Sequence, residues 1–224
     1  MALDVGTVIA IEKPDHTDAN VRLDRASEEY LRRIEPVRFR VAESDEERHE
    51  SFHLRYEAII DQGWANPESF PGTIEREDLD DHALHIVGWL DSQPVASCRL
   101  ILPRPDRLLP VEQDFGIRVE PFRQAVEIDR MCISRQPETP RVLMSLALLS
   151  AGWQEVRCAG YAASVGRVSR SMLRHYRAFG FEHEILGPAQ VSWNEERFPI
   201  RFTAGSATER FYERLERLRR SKGC

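Results

Sequence analysis

The sequence has few cysteines and no long apolar run. Its four cysteines, Cys98, Cys132, Cys158 and Cys224, include no Cys-x-x-Cys pair. Three of them lie in apolar surroundings, so we expect reduced core thiols and neither a zinc site nor a disulfide framework. No apolar run approaches the roughly 18 residues that cross a bilayer, and the N-terminus lacks the pattern of a signal peptide. We therefore expect a soluble, cytoplasmic protein without a transmembrane segment or a bound metal.

The charge is unevenly distributed along the chain. The net charge of -6 argues against a general nucleic-acid binder. Residues 135–177 nevertheless carry seven arginines and two acidic residues, a net charge of +5. A basic face on an acidic protein favours an acidic partner. A composition bias is the alternative, because every cation of this segment is an arginine.

The segment 125–133 places charges where a buried strand is expected. Its sequence, Ala-Val-Glu-Ile-Asp-Arg-Met-Cys-Ile, is mostly β-branched or apolar but contains Glu127, Asp129 and Arg130. Burying a carboxylate or a guanidinium is costly unless the two are paired. Such residues therefore indicate either a structural ion network or a site that uses charge.

Hydrophobic periodicity and capping signals predict an α/β domain with a mixed sheet. We expect an N-terminal extension over 1–36, a domain over 37–204 and a C-terminal helix over 205–224. The predicted helices begin at Ser44, within the capping box Ser44-x-x-Glu47, at Thr139-Pro140, at Ser169 and at Ser206. The predicted strands are 37–41, the hairpin 82–90 and 94–102, then 125–133, 161–165, a strand from Phe181, and 198–203.

Several short motifs now resemble one superfamily, the GNAT N-acetyltransferases, over about residues 37–187. Within it, the chain resembles the autoinducer-synthase-like branch, which includes acyl-homoserine-lactone synthases and N-acyl amino acid synthases. The resemblance rests on Leu54-Arg55, Trp64, the pair Asp78 and Asp81, Ser97-Cys98-Arg99-Leu100, Glu127-x-x-Arg130, and the segment Ser169 to Phe181.

The resemblance implies a mostly antiparallel central sheet with a V-shaped splay, flanked by helices. It also implies transfer of a fatty acyl group from a carrier-linked thioester to the amine of an amino acid or a related small molecule. Two alternatives remain at this point. One is an acetyl-coenzyme A-dependent N-acetyltransferase, and the other is a catalytically silent module that binds acyl chains or a partner.

The same resemblance suggests two catalytic residues. Glu127 is the candidate base, since a partly desolvated carboxylate has a raised pKa; a structural ion pair with Arg130 or Arg99 is the alternative. Tyr176 lies where many superfamily members have a tyrosine that protonates the departing thiolate. The alternative for Tyr176 is an amphipathic core tyrosine.

Other residues are expected to bind substrate. Asp78 and Asp81 match an acidic pair that holds a cationic amine or braces Arg55 and Arg99, although a solvated loop fits the same sequence. Arg99 and Arg130 are expected to order carboxylates, because guanidinium stays protonated. Arg55 and Trp64 resemble residues that shape the acyl-donor side, and an ordinary core or lid aromatic is the alternative for Trp64.

The loop 134–141 departs from the superfamily pattern. It contains no glycine, and Pro137 and Pro140 each remove a backbone donor. A loop of this kind is poorly suited to the pyrophosphate of coenzyme A, so we expect acyl carrier protein as the donor and partner, with no other cofactor. The residues expected near its phosphate or docking surface are Arg135, Arg141, Arg167, Arg170 and Arg174.

Two further departures concern the reaction product. Ile59 stands where lactone synthases tend to have an aromatic residue, and Leu109-Pro110-Val111-Glu112 resembles acyltransferase-like proteins associated with exosortase systems. These departures favour amide formation over lactone formation.

Overall fold

The computed structural model describes residues 18–135, 140–192 and 194–221. The helices are α1 (Asp18–Arg33), α2 (Asp45–Asp61), α3 (Pro110–Phe115), α4 (Arg141–Cys158), α5 (Arg170–Phe179) and α6 (Glu209–Ser221). The strands are β1 (Arg38–Val41), β2 (Leu84–Leu90), β3 (Gln93–Ile101), β4 (Val126–Ile133), β5 (Ala163–Ser169), β6 (Glu184–Ile185), β7 (Gln190–Ser192) and β8 (Glu195–Thr203).

One mixed sheet organises the fold. Its strand order is β1-β2-β3-β4-β5-β8-β6, with β7 paired to β8. Every pairing is antiparallel except that of β4 with β5. The predicted mixed, mostly antiparallel sheet flanked by helices is confirmed.

The sheet opens between β4 and β5. These strands pair only over Val126–Glu127 and Ser164–Val165, whereas β4 continues to Ile133 and β5 to Ser169. The two strands therefore divide the sheet into a first arm, β1 to β4, and a second arm, β5 to β8. The predicted V-shaped splay is present, and it begins beside Glu127.

Local signals explain where the helices begin and end. The hydroxyl of Ser44 accepts a hydrogen bond from the Glu47 amide, and that of Ser169 accepts one from the Met172 amide. Gly180 ends α5 in the left-handed conformation, with φ at 98°. The sequence did not predict α3, which lies in the connection 103–121, or the short strand β7, and the strand predicted from Phe181 is limited to β6.

The segment before β1 contributes to the main core. Leu23, Ala26 and Tyr30 of α1 are buried together with residues of α4 and α6, and the Trp153 indole donates a hydrogen bond to Asp24 at 2.7 Å. The rings of Tyr30 and Phe211 lie 5.2 Å apart. The extension is thus packed over its described residues, while residues 1–17 lie outside them.

The cysteines match the sequence interpretation only in part. Cys98 and Cys132 are buried thiols, but Cys158, at the end of α4, is exposed. Cys158 is exposed because α4 ends at the surface, where the chain turns at 159–160. Cys224 lies outside the described residues. Among the described residues, no helix has the length and apolar content that a bilayer crossing requires.

Replacing Leu23 by alanine should lower the free energy of unfolding by about 2–5 kcal/mol, because removal of a buried leucine side chain leaves a cavity. The measurement is urea denaturation, with the exposed Arg25→Ala on the same helix as the control. A change near zero for Leu23→Ala would show that α1 does not belong to the core.

Gly166→Ala should also destabilise the protein, by about 1–3 kcal/mol. An added Cβ at Gly166 would lie 2.7 Å from the backbone oxygen of Ile128, at the point where the strands part. Gly187→Ala is the matched control, because its nearest contacts would be 3.6 Å. Equal stability of the two variants in urea would contradict the close approach of β4 and β5.

Candidate functional site

Asp80 is the centre of a buried network of charged side chains. It lies in a short 3₁₀ helix, Asp78–His82, that leads into β2. Its carboxylate accepts hydrogen bonds from Arg55 at 2.7 and 3.1 Å and from Arg99 at 2.9 Å. Burial opposes its ionisation, but the hydrogen bonds and charges of the two arginines prevail and lower the pKa of Asp80 to about 2. Asp80 is therefore a permanent anion at physiological pH.

The structure corrects one part of the prediction for Asp78 and Asp81, the bracing of Arg55 and Arg99. Both carboxylates are exposed, and Asp81 forms an ion pair with Arg76. Asp80, which lies between them, braces Arg55 and Arg99 instead. The physical reason is the turn of the 3₁₀ helix, which directs one of three neighbouring acidic residues inward.

Two further glutamates of the segment 75–81, here called the acidic loop, join this network, and neither was identified from the sequence. Glu75 is buried and pairs with Arg55 and, at 3.1 Å, with Arg130. Glu77 lies 2.6 Å from Arg99 and 3.4 Å from Arg130. The sequence does show closely spaced acidic residues at Glu75, Glu77 and Asp80. Which of them reach the arginines depends on the conformation of the loop, which the spacing alone does not predict.

A β-bulge brings Arg130 into the network. The register of β3 and β4 shifts between Ser97 and Arg99, so that β4 carries one extra residue there. Arg130 adopts φ of 51°, a conformation that is uncommon outside glycine. The bulge directs Arg130 toward Glu75, and among the described residues Glu127 pairs with Arg167 instead.

Asp129 connects the network to the splay. It faces Arg99 across the β3–β4 ladder and accepts two hydrogen bonds from that guanidinium, at 2.8 and 2.7 Å. Arg167 on β5 donates a further hydrogen bond to Asp129 at 3.1 Å. Burial disfavours the charge of Asp129, but Arg99 outweighs it and lowers the pKa of this carboxyl.

Glu127 is fully enclosed beside the splay. Its Oε2 accepts a hydrogen bond from the Val111 amide at 2.8 Å, and its Oε1 lies 3.3 Å from Nε of Arg167. Oε1 accepts no hydrogen bond from the described residues. Burial raises the pKa of Glu127 above its ordinary value, although the charge of Arg167 acts in the opposite direction. The partner of Glu127 is thus Arg167 rather than Arg130 or Arg99.

The position of Arg167 is a second correction. The sequence placed it near the phosphate or the docking surface of the carrier protein, but its side chain is largely buried and contacts Glu127, Asp129 and Asp114. The cause is strand alternation on β5, which directs this residue across the opening toward β4. Asp114, at the end of α3, was not identified from the sequence.

Tyr176 lies on the other side of the same opening. It belongs to α5, which follows β5, and its hydroxyl donates to the sulfur of Met131 on β4 at 3.7 Å. Burial raises the pKa of Tyr176 to about 12. A phenol with this pKa keeps its proton at neutral pH, and it points at a sulfur atom across the splay.

Trp64 lies on the turn after α2, with its ring beneath the guanidinium of Arg197 on β8 at 4.9 Å. Since α2 packs on the first arm and β8 belongs to the second, this contact crosses the splay. Arg197 was not identified from the sequence, because nothing in the local pattern around it is unusual.

The other predicted arginines lie on the surface. Arg135 pairs with Asp61 at 3.0 Å, and Arg170 pairs with Glu196 at 2.9 Å. Arg141 begins α4, and Arg174 is one turn after Arg170 on α5; both are exposed. Because β4 and β5 are parallel neighbours, the helices that follow them start at the same edge of the sheet. Residues 136–139 of the predicted phosphate loop lie outside the described residues.

The described residues contain no group of three or more histidine, cysteine or acidic side chains arranged to hold a metal ion. The carboxylates at the splay form ion pairs with arginines.

Solved structures with the same fold are acyltransferases of related kinds. The structure of the acyl-homoserine-lactone synthase LasI superposes with a TM-score of 0.65 at 14% identity, covering 79% of this chain and 95% of that one. FeeM, an N-acyl amino acid synthase from uncultured soil microbes, gives 0.57 at 13% identity, covering 75% and 90%. The coenzyme A-dependent acyl-homoserine-lactone synthase BjaI, solved with SAM and isopentyl-CoA, gives 0.58 at 18% identity, covering 75% and 81%.

Sequence comparison is more specific than the fold. No curated protein sequence matches the chain significantly. The sequence profile described as "N-acyl amino acid synthase FeeM" matches residues 50–189, which is more than half of the chain. The matched range includes the acidic loop, β3, β4, β5 and α5, and so the network at the splay. The chain belongs to the FeeM family of N-acyl amino acid synthases and is an acyltransferase of that family.

Proposed function

We propose that this N-acyltransferase moves a fatty acyl group from the thioester of acyl carrier protein to the amine of an amino acid. The observation that carries the proposal is the opening of the sheet beside Glu127, with an ionised network on one arm and Tyr176 facing β4 from the other. Amide formation requires an amine that has lost a proton, a thioester carbonyl within its reach, and a proton for the departing thiolate. The two arms supply candidates for both proton transfers.

In the proposed reaction the amine nitrogen attacks the thioester carbonyl. The amine proton passes through a water molecule to Glu127, whose Oε1 accepts no hydrogen bond from the described residues. The carbon–sulfur bond then breaks, and the thiolate takes the proton of the Tyr176 hydroxyl. A raised pKa suits Glu127 as a base near neutral pH, and it suits Tyr176 as an acid that keeps its proton until the thiolate forms.

The remaining charges are proposed to position these groups. Arg55, Arg99 and Arg130 are held by carboxylates of the acidic loop and of β4. A guanidinium does not exchange protons at neutral pH. Their proposed role is to hold Asp129 in position. Asp129 in turn holds Arg167, which contacts the carboxyl of Glu127. Asp78 and Asp81 are exposed and lie outside the network, and their proposed role is to contact the cationic amine as it approaches.

The choice of acyl carrier protein is supported by the surface at the edge where α4 and α5 begin. Arg141 and Arg174 are exposed there and have no carboxylate partner among the described residues. Val142 and Met172, their neighbours, are exposed apolar side chains. Acyl carrier protein is acidic and offers one phosphodiester, whereas coenzyme A requires a cradle for a pyrophosphate, which a loop without glycine does not readily form.

Glu127→Gln should lower kcat by about 100-fold or more while leaving KM for the amine nearly unchanged. The amide oxygen still accepts the hydrogen bond from Val111, and glutamine resembles the neutral carboxyl that burial favours, so the variant should fold. The rate is followed as thiol released from acyl carrier protein. Glu155→Gln, a partly buried glutamate of α4 outside the site, is the control. A nearly normal rate for Glu127→Gln would leave Glu127 a structural partner of Arg167.

With the same acyl chain, kcat/KM should be at least about tenfold higher for acyl carrier protein than for coenzyme A. The double variant Arg141→Glu, Arg174→Glu should lower the value for the carrier protein by about tenfold or more, because like charges then meet at the docking surface, and should leave that for coenzyme A nearly unchanged. Arg217→Glu on the exposed face of α6 is the control. Higher efficiency with coenzyme A, insensitive to the double variant, would reverse the donor assignment.

A further inference from the structure

Arg197 differs from the other arginines at the splay in its partners. Arg55, Arg99, Arg130 and Arg167 each have a carboxylate oxygen within 3.3 Å. The nearest carboxylate to Arg197 is Glu195, at 4.0 Å. Its Nε donates to the Ser192 carbonyl at 3.3 Å, but among the described residues neither Nη group donates a hydrogen bond.

This guanidinium is held in place although its terminal amines donate no hydrogen bond to a described residue. Its side chain is 18% exposed, and it lies over the ring of Trp64 with Cζ 4.9 Å from the centroid. A cation over a tryptophan face is attracted by the ring, and the Nε donation to Ser192 anchors the same guanidinium from a second side. The two terminal amines remain for a ligand, and a guanidinium binds a carboxylate through two parallel hydrogen bonds.

The position of Arg197 relates it to the proposed base. In the β5–β8 ladder, Ser169 faces Arg197 and Arg167 faces Pro199. Alternate residues of a strand share a face, so Arg167 and Arg197 project from the same face of the second arm. Two residues along a strand span about 7 Å. A small ligand held by Arg197 can thus extend toward Arg167, which contacts Glu127.

The electrostatic environment favours an anion at this position. Burial lowers the pKa of Arg197, and the neighbouring charges of Arg167 and Arg130 act in the same direction. Glu195 is the only opposing charge identified near it among the described residues, and it remains partly exposed. A ligand carboxylate would neutralise a guanidinium that the protein itself leaves poorly paired.

We propose that Arg197, held against Trp64, binds the α-carboxylate of the acceptor amino acid and so selects acceptors with a free carboxylate over simple amines and amino acid amides. This inference rests on the proposed transfer to an amino acid. With the carboxylate at Arg197, the α-amine lies on the side of Arg167 and Glu127. Trp64 is a positioning residue, since it acts through the guanidinium.

Binding of the reaction product tests the inference without requiring turnover. The wild-type protein is titrated with an N-acyl amino acid and with its carboxamide, and heat or intrinsic tryptophan fluorescence is recorded. The acid should bind about 10- to 100-fold more tightly, the range expected for hydrogen bonds to a charged group. Arg197→Met, which keeps the apolar stem over Trp64, should remove this preference while leaving the affinity for the carboxamide unchanged.

Two controls separate the inference from a loss of folding and from a failure of the proposed function. Arg201→Gln removes a guanidinium from the same strand, where Arg201 pairs with Glu184 at 3.0 Å, and should keep the preference for the acid. Arg197→Lys keeps the charge without the fork and should recover only part of that preference. Equal binding of acid and carboxamide by the wild type would overturn the inference, and so would equal losses for both ligands in Arg197→Met. An absence of turnover with every amine would instead count against the proposed function, because the binding preference is measured independently.

Discussion

The buried contact of Asp80 with Arg55 and Arg99 is the interaction on which the site depends. It joins α2, the acidic loop and β3 at a place from which water is excluded. Removing one member of such a network leaves an uncompensated buried charge, which is far more costly than the net contribution of the pair. The loop is consequently fixed against the sheet, and Glu75 and Glu77 are fixed with it. These two carboxylates in turn hold Arg130 in its unusual conformation.

From this contact, further ion pairs continue across the sheet to the splay. Asp129 is held by Arg99 on the first arm and by Arg167 from the second. Arginines at hydrogen-bond distance lower the pKa values of Asp80 and Asp129, so these two carboxylates stay ionised at neutral pH. Glu127 is the exception, since its Oε1 accepts no hydrogen bond from the described residues and burial raises its pKa. A group that changes protonation beside groups that do not is the arrangement expected of a proton acceptor in a rigid site.

Much of the fold could be predicted from the sequence, because the signals that define it act between residues close together in the chain. The hydroxyls of Ser44 and Ser169 and the glycine at 180 define helix ends through contacts with near neighbours. The charged strand 125–133 was also recognisable, because three charges among apolar residues conflict with ordinary burial. The site was harder to predict from the sequence, since its pairings depend on a 3₁₀ turn that selects Asp80 and on a bulge that directs Arg130 toward Glu75. The inward direction of Arg167 likewise becomes visible only once β4 and β5 are neighbours.

The central claim is that Glu127 exchanges a proton at neutral pH while the charges around it remain fixed. It is tested most directly by a carbon-13 NMR titration of the glutamate carboxyls, with the Glu127 resonance assigned by its loss in Glu127→Gln. The account predicts that this carboxyl titrates above the ordinary glutamate range, since burial outweighs the charge of Arg167. Titration at or below the ordinary value would contradict the account, because Glu127 would then be one more ionised partner of an arginine.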